Sequence, residues 1–159
     1  VVKMGISLGM KAKVLTRKPR TETLFLDFFD GQTVNFEITS TTNQEDFFKE
    51  VDFLSINTPK SDGYIIDTPQ FEMMKDGVFI VNTARGGVLN EVTLLQFIDS
   101  GKIAGAALDV FENEPTPELP LLMNPNLSLS PHLGGNTVDA QEKIGAELAA
   151  QIIDIKNKL

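Results

Sequence analysis

Cysteine is absent from the 159 residues and histidine occurs once. The first absence excludes a disulfide framework, a thiolate nucleophile and any cysteine-based metal site. With a single imidazole, a zinc site would have to be built mostly from carboxylates, against that ion's preference for nitrogen and sulfur. Basic residues are the minority charge, 14 Lys and Arg against 22 Asp and Glu, for a formal charge of -8. That balance opposes nucleic acid as a partner, because phosphates reward cations; its plainest reading is solubility. No apolar run reaches the roughly 18 residues of a membrane-spanning helix, and no basic stretch followed by an apolar one opens the chain. Both absences favour the cytosol and argue against a membrane partner. The first residue is Val1 and not Met, so the natural N-terminus need not lie there.

What is present is the make-up of a folded α/β chain. Apolar residues form 42% and charged residues 23%, with 12 glycines and 8 prolines, unlike a disordered or collagenous composition. The length suits one domain with a core of its own.

Along the chain, Val1 to Met10 reads as the later turns of a helix, Ala12 to Thr16 as a short strand ended by Arg17-Lys18-Pro19-Arg20, and Thr21 to Asp30 as less regular. Thr33 to Ile38 alternates like a half-exposed strand, and Thr42 with Glu45 suggests a capping box opening a short helix. Val51 to Ile56 is a strand stopped by Asn57-Thr58-Pro59, and Thr68-Pro69 begins a helix. Val78 to Val81 reads as a strand covered on both faces. Asn90 caps the next helix and Gly101 ends it; Ile103 to Val110 is another buried strand. Prolines 115, 117, 120 and 125 make most of 111–125 a loop, before a strand over Leu127 to Ser130 and one long helix from Thr137 to Leu159. Alternating strands and helices imply a mostly parallel, doubly wound sheet, whose ligands bind beyond the carboxyl ends of the strands.

That rule directs attention to three side chains. Arg85 precedes two glycines; its guanidinium can hold a planar carboxylate by two bonds, although alone it reads equally well as a surface residue. Glu114 follows the strand that ends near Asp109; it reads alone as a solvated loop acid, and Glu112 is as good a candidate by composition. His132, between a strand and a helix, is the best general acid and base in the chain, against the blander reading of a cap or surface residue. A carboxylate on its other ring nitrogen would fix the tautomer and favour the imidazolium. Cation, proton donor and an external hydride are what reduction of a 2-oxo acid requires, and since no side chain supplies hydride, a nicotinamide cofactor is expected to bring it.

Three blocks then carry a resemblance: Asn82-Thr83-Ala84-Arg85-Gly86-Gly87, Gly105 through Pro115 with Leu108-Asp109-Val110-Phe111-Glu112-Asn113-Glu114, and Ser130-Pro131-His132-Leu133-Gly134-Gly135-Asn136-Thr137. Their order and spacing resemble the nucleotide-binding domain of the D-isomer-specific 2-hydroxyacid dehydrogenases, a Rossmann-like fold. The resemblance implies Arg85 as substrate-binding arginine, Glu114 as the acid that orients the histidine, and His132 as acid/base. It places Asp109 at the nicotinamide carboxamide, Thr58 and Pro59 over the adenosine side of the cofactor and Thr83 and Ala84 near its nicotinamide half, with Asn57, Gly134 and Gly135 as further cofactor contacts. The implied substrate pair is 3-phosphoglycerate and 3-phosphohydroxypyruvate of serine biosynthesis. Glyoxylate or hydroxypyruvate reduction is the alternative, and a non-catalytic, cofactor-sensing module of the corepressor type a further one. Relatives are typically dimers through this domain.

Two departures qualify it. No G-x-G-x-x-G occurs in the sequence, so the expectation is a domain without its first strand and phosphate loop, one that by itself binds cofactor poorly and is inactive. Residues 1–150 would be the partial dinucleotide-binding domain, and 151–159 the end of a helix returning to a substrate domain. Where the family usually has an acid for the adenosine ribose, Arg17 and Lys18 stand instead. Basic side chains there suit a 2'-phosphate, which leaves NAD and NADP both open; a merely solvated turn is the other reading.

Overall fold

The computed structural model describes residues 1–158. Its centre is a parallel sheet of four strands in sequential order: β3 (Phe53–Ile56), β4 (Val78–Asn82), β5 (Ile103–Leu108) and β6 (Leu127–Leu129). Each crossover carries a helix: α3 (Thr68–Met73), α4 (Glu91–Asp99) and α5 (Leu119–Met123). Sequential order with right-handed crossovers stacks these helices on one face of the sheet. The register agrees: Leu54, Ile80 and Ala106 form one buried row, and Ile56, Asn82 and Leu108 the next. Phe48 of α2 (Gln44–Phe48), Phe71 of α3, Leu94 and Ile98 of α4 and Leu121 of α5 close the core over them.

The other face is open. Phe53 and Phe79 stack there with ring centroids 5.7 Å apart, and are 58% and 46% exposed. Val78 to Val81 is therefore a strand covered on one side, and its continuous apolar run reflects a stacked aromatic pair on the bare side. The α/β, parallel, Rossmann-like architecture read from the sequence holds, with a single helical layer among the described residues.

Helix boundaries follow local chemistry. Asn90 Oδ1 accepts from Thr93 N at 3.0 Å to start α4, and Gly101, with φ +79°, leaves the helix in the left-handed region where a side chain would be strained. At α3 the cap is Asp67, in a reciprocal box with Gln70, and Pro69 sits in the first turn. At α2 the expected box of Thr42 and Glu45 is replaced by Asn43, whose side chain accepts from Asp46 N; the helix begins one residue later than that box requires.

Ahead of the sheet, α1 (Val2–Ser7) packs on an antiparallel hairpin of β1 (Thr21–Asp27) and β2 (Thr33–Thr39), separate from the parallel sheet. The irregular apolar weight of residues 21–30 is thus a strand. Leu24, Leu26, Phe36 and Ile38 turn inward on it, while Phe25, Phe28 and Phe29 stay outside. The strand expected over Ala12 to Thr16 is reduced to a single parallel bridge, Leu15 to Thr41, because no other segment runs beside it among the described residues. Within the proline-rich stretch, Pro120 opens α5 instead of forbidding it, since a proline in the first turn has no donor to lose.

The last element, α6 (Val138–Lys158), is 21 residues long and runs without a break through positions 150 and 151. Its stripe of Ile144, Leu148, Ile152 and Ile155 is exposed. No helix among the described residues is long and apolar enough to cross a membrane.

Candidate active site

Three loops leave the carboxyl ends of β4, β5 and β6 side by side. The first turns on Asn82, 2% exposed, whose Oδ1 accepts from Ala84 N at 3.1 Å while its Nδ2 donates to Arg85 O at 3.2 Å. Held this way, residues 83–85 project outward, and the Arg85 side chain lies exposed with Nη1 donating to Ala84 O at 2.6 Å. Gly86 then touches the second loop so closely that a Cβ there would lie 1.7 Å from Phe111 O.

The second loop carries Asp109 and Glu114. Asp109 is buried and faces the third loop: Oδ1 accepts from Ser130 Oγ at 2.6 Å and Leu133 N at 2.8 Å, and Oδ2 from Gly134 N at 2.9 Å. Burial alone would raise its carboxyl, but these bonds and the neighbouring His132 outweigh it and hold it below its ordinary 3.8. Its role here is to shape the turn bearing His132, whose φ of +52° is the only positive value at a non-glycine residue among the described residues. Asn136 Nδ2 donates to His132 O at 2.8 Å and closes the turn. A conformation this sparsely populated persists only where its surroundings impose it.

Across this turn His132 Nδ1 meets Glu114 Oε2 at 2.8 Å. The second Glu114 oxygen accepts from Phe111 N at 3.0 Å. Glu114 is held below its ordinary 4.5, first by the bond to His132 and then by that to Phe111 N. An ionised carboxylate on Nδ1 orients the ring and leaves Nε2 for a ligand. Arg85, Glu114 and His132 line one cavity of about 260 Å³, with Lys60, Gly86, Phe111 and Glu112. The three residues singled out in the sequence therefore share one space.

A second cavity of about 360 Å³ adjoins it, lined by Asn57, Thr58, Pro59, Lys60, Thr83, Ala84 and Arg85. Here Thr58 Oγ1 is buried without a hydrogen-bond partner among the described residues. A buried hydroxyl left alone costs about 1–3 kcal/mol, and one beside a cleft is a natural contact for a polar ligand. The residues after β3 and β4 thus offer polar contacts of the kind a dinucleotide cofactor requires. Asp109, Gly134, Gly135, Arg17 and Lys18 line neither cavity. Arg17 and Lys18 lie exposed in a bend held by Thr16 Oγ1 on Lys18 O at 2.8 Å.

Sequence reasoning missed Lys60, which with Arg85 lines both cavities. It follows Asn57-Thr58-Pro59 directly, so the signal was a cation one residue beyond a noted loop. It also missed Glu91. This residue reads as an ordinary first-turn acid of α4, yet it is 6% exposed, and burial, only partly offset by the bond from Glu112 N and added to by the charges of Glu112, Glu118 and Glu114, pushes its carboxyl up to about 7.

The folded chain keeps a proton on Glu91 that the unfolded chain releases near 4.5, so the stability this group contributes is complete below that pH and is lost as pH rises through about 7. At about 1.4 kcal/mol per pH unit, the loss has a ceiling of about 3 kcal/mol. Glu91→Gln, which cannot ionise, is expected to gain on the parent by up to that amount at pH 8.5 and by little at pH 4.5. Urea unfolding at both values measures it, and an equal difference at the two would contradict it.

Residues 1–134 match the family described as D-isomer specific 2-hydroxyacid dehydrogenase, NAD binding domain, and the chain belongs to that family. Among similar proteins, hydroxypyruvate reductase of Thermotoga maritima is 39% identical over 158 residues, covering 96% of this chain and 47% of that protein. D-3-phosphoglycerate dehydrogenase of Archaeoglobus fulgidus is 41% identical over 111 residues, covering 68% of this chain and 21% of that one. Among solved structures, an NADPH-dependent glyoxylate/hydroxypyruvate reductase from Sinorhizobium meliloti superposes with a TM-score of 0.72 at 27% identity, over 87% of this chain and 40% of that chain. The chain thus spans less than half the length of each of these relatives.

Proposed function

We propose that this domain, joined to a substrate-binding domain, serves hydride transfer between a nicotinamide cofactor and a D-2-hydroxy acid or its 2-oxo acid. The observation that carries the reading is the single cavity shared by Arg85, Glu114 and His132, beside the cleft with the unpartnered Thr58 hydroxyl. When bound, the nicotinamide supplies or accepts the hydride at the substrate's C2. Arg85 binds the carboxylate and orients the carbonyl. In reduction His132 gives a proton from Nε2 to the carbonyl oxygen; in oxidation it takes one from the hydroxyl. Glu114 keeps Nδ1–H in place through both directions.

For the substrate we favour 3-phosphoglycerate and 3-phosphohydroxypyruvate, which carry a second anionic group that Lys60 can meet while Arg85 holds the carboxylate. Hydroxypyruvate reduction is the second reading, favoured by the similarity of the Thermotoga maritima hydroxypyruvate reductase over 96% of the chain. Steady-state assays of the full-length protein with both acids, using NADH and NADPH in parallel, decide between them. No turnover of any small 2-oxo acid with either cofactor would overturn the proposal.

For the cofactor, Arg17 and Lys18 support use of NADPH as well as NADH. A charge-assisted bond to a 2'-phosphate is worth about 1.5–3 kcal/mol, so replacing both by serine is expected to raise KM for NADPH about 10- to 100-fold and to leave KM for NADH within a factor of a few. Equal changes for both cofactors would place the two cations elsewhere than at the phosphate.

A further inference from the structure

Glu91 and Glu112 form a closed reciprocal pair. Glu91 N donates to Glu112 Oε1 at 3.1 Å, and Glu112 N donates to Glu91 Oε1 at 2.8 Å. Tyr64 Oη donates to the remaining Glu112 oxygen at 2.8 Å. Each carboxylate thus accepts from the other residue's backbone, so neither strand of the contact can slide without breaking both bonds. One partner, Glu91, opens α4, whose first backbone donors favour a negative group. The other sits two residues before Glu114.

We propose that this pair, closed by Tyr64, positions the Glu114–His132 couple by pinning residues 111–114 to the first turn of α4. The proposal rests on the dehydrogenase reading above and names Glu91, Glu112 and Tyr64 as positioning residues for it. The bond from Phe111 N to Glu114 Oε1 is internal to the segment; it sets the Glu114 side chain relative to its own backbone and leaves the backbone's place undefined. Among the described residues, the only hydrogen bonds fastening residues 111–114 to distant parts of the fold are those to Glu91 and Tyr64, Asn113 Nδ2 to Glu118 Oε1 being local, together with the His132 bond itself. The same α4 turn is reached from Arg85 through Gly86, Gly87, Val88, Leu89 and Asn90. Pinning the Glu114 segment to α4 therefore also sets its spacing from Arg85, at the point where Gly86 lies against Phe111 O. Burying the Glu91 carboxyl to 6% exposure among Glu112, Glu114 and Glu118 is costly, and strongly perturbed groups of this kind cluster at functional sites.

The sole histidine makes the test direct. In the ¹⁵N-labelled chain, long-range ¹H–¹⁵N spectra report which imidazole nitrogen bears the proton, without any need for turnover. Glu114→Ala sets the reference for a released ring. Glu91→Ala is expected to move the His132 signals more than halfway to that reference, and Glu91→Gln, whose carbonyl still accepts from Glu112 N, to leave them at their original positions. Should Glu91→Ala fail to melt cooperatively, Tyr64→Phe and Glu112→Ala, at exposed side chains, carry the same expectation. If Glu114→Ala itself leaves the ring unmoved, the couple and the dehydrogenase reading both fall. If Glu114→Ala moves it while the folded latch variants do not, the positioning role alone is overturned.

Discussion

Gly86→Ala is expected to destabilise the domain by about 3 kcal/mol or more, at the upper end of what overpacking a closed site costs. The new methyl carbon would lie 1.7 Å from Phe111 O and 2.4 Å from Phe111 C. Both obstacles are backbone, so no side-chain rotation relieves them, and the Arg85 and Glu114 loops must part. Two other glycines supply the controls. At Gly87 nothing lies within 4 Å of an added Cβ, but φ is +75°, so alanine there should cost only the left-handed strain of about 1–2 kcal/mol. At Gly135 nothing lies within 4 Å either, and alanine should be close to neutral. Chemical-denaturation midpoints rank the three variants. A Gly86→Ala chain as stable as Gly135→Ala would mean that the two loops are not in contact, and the shared cavity would lose its geometric basis.

The same contact explains why parts of this site could be read from the amino acids and parts could not. Residues whose meaning is set by neighbours in the chain were legible. Strands β3, β4 and β5 are short apolar runs between breakers, Asn90 caps a helix three residues from its bonded amide, and His132 lies in a turn next to glycines. Features set by what the chain meets in space were not. Phe53 and Phe79 read as core because they sit in apolar strands, yet nothing among the described residues covers their face. Glu91 reads as a solvated first-turn acid, and only the fold reveals that residues 111–114 close over it. Glu112 and Glu114 are equivalent by composition. Three-dimensional placement separates them, sending Glu112 to α4 and Tyr64 and Glu114 to His132. The resemblance implies Asp109 at the nicotinamide, and only the fold shows that its oxygens also accept from Ser130 Oγ and the Leu133 and Gly134 amides of the His132 loop. Local chemistry identified the parts, and long-range packing assigned their partners.

Replacing the imidazole is the sharpest test of the proposed chemistry, and asparagine is the substitution that isolates it. His132 sits at φ +52°, a region in which Asn is enriched among non-glycine residues. His132→Asn should therefore keep the turn, and with it the bonds from Leu133 N and Gly134 N to Asp109. What it removes is a group able to give and take a proton. In the full-length protein kcat is expected to fall about 10²- to 10⁴-fold, the usual contribution of a positioned acid or base, while KM for the cofactor stays within a factor of a few, because His132 lines the cavity beside the proposed cofactor cleft and not the cleft itself. The pH profile adds a second readout. The bonds from His132 and Phe111 N hold the Glu114 carboxyl below 4.5, so Glu114 remains ionised across the ordinary assay range, and any limb of the wild-type profile that vanishes in His132→Asn belongs to the imidazole. A variant that loses kcat but keeps an unchanged profile would assign the proton to another donor, and Lys60, on the wall of both cavities, would be the next side chain to replace.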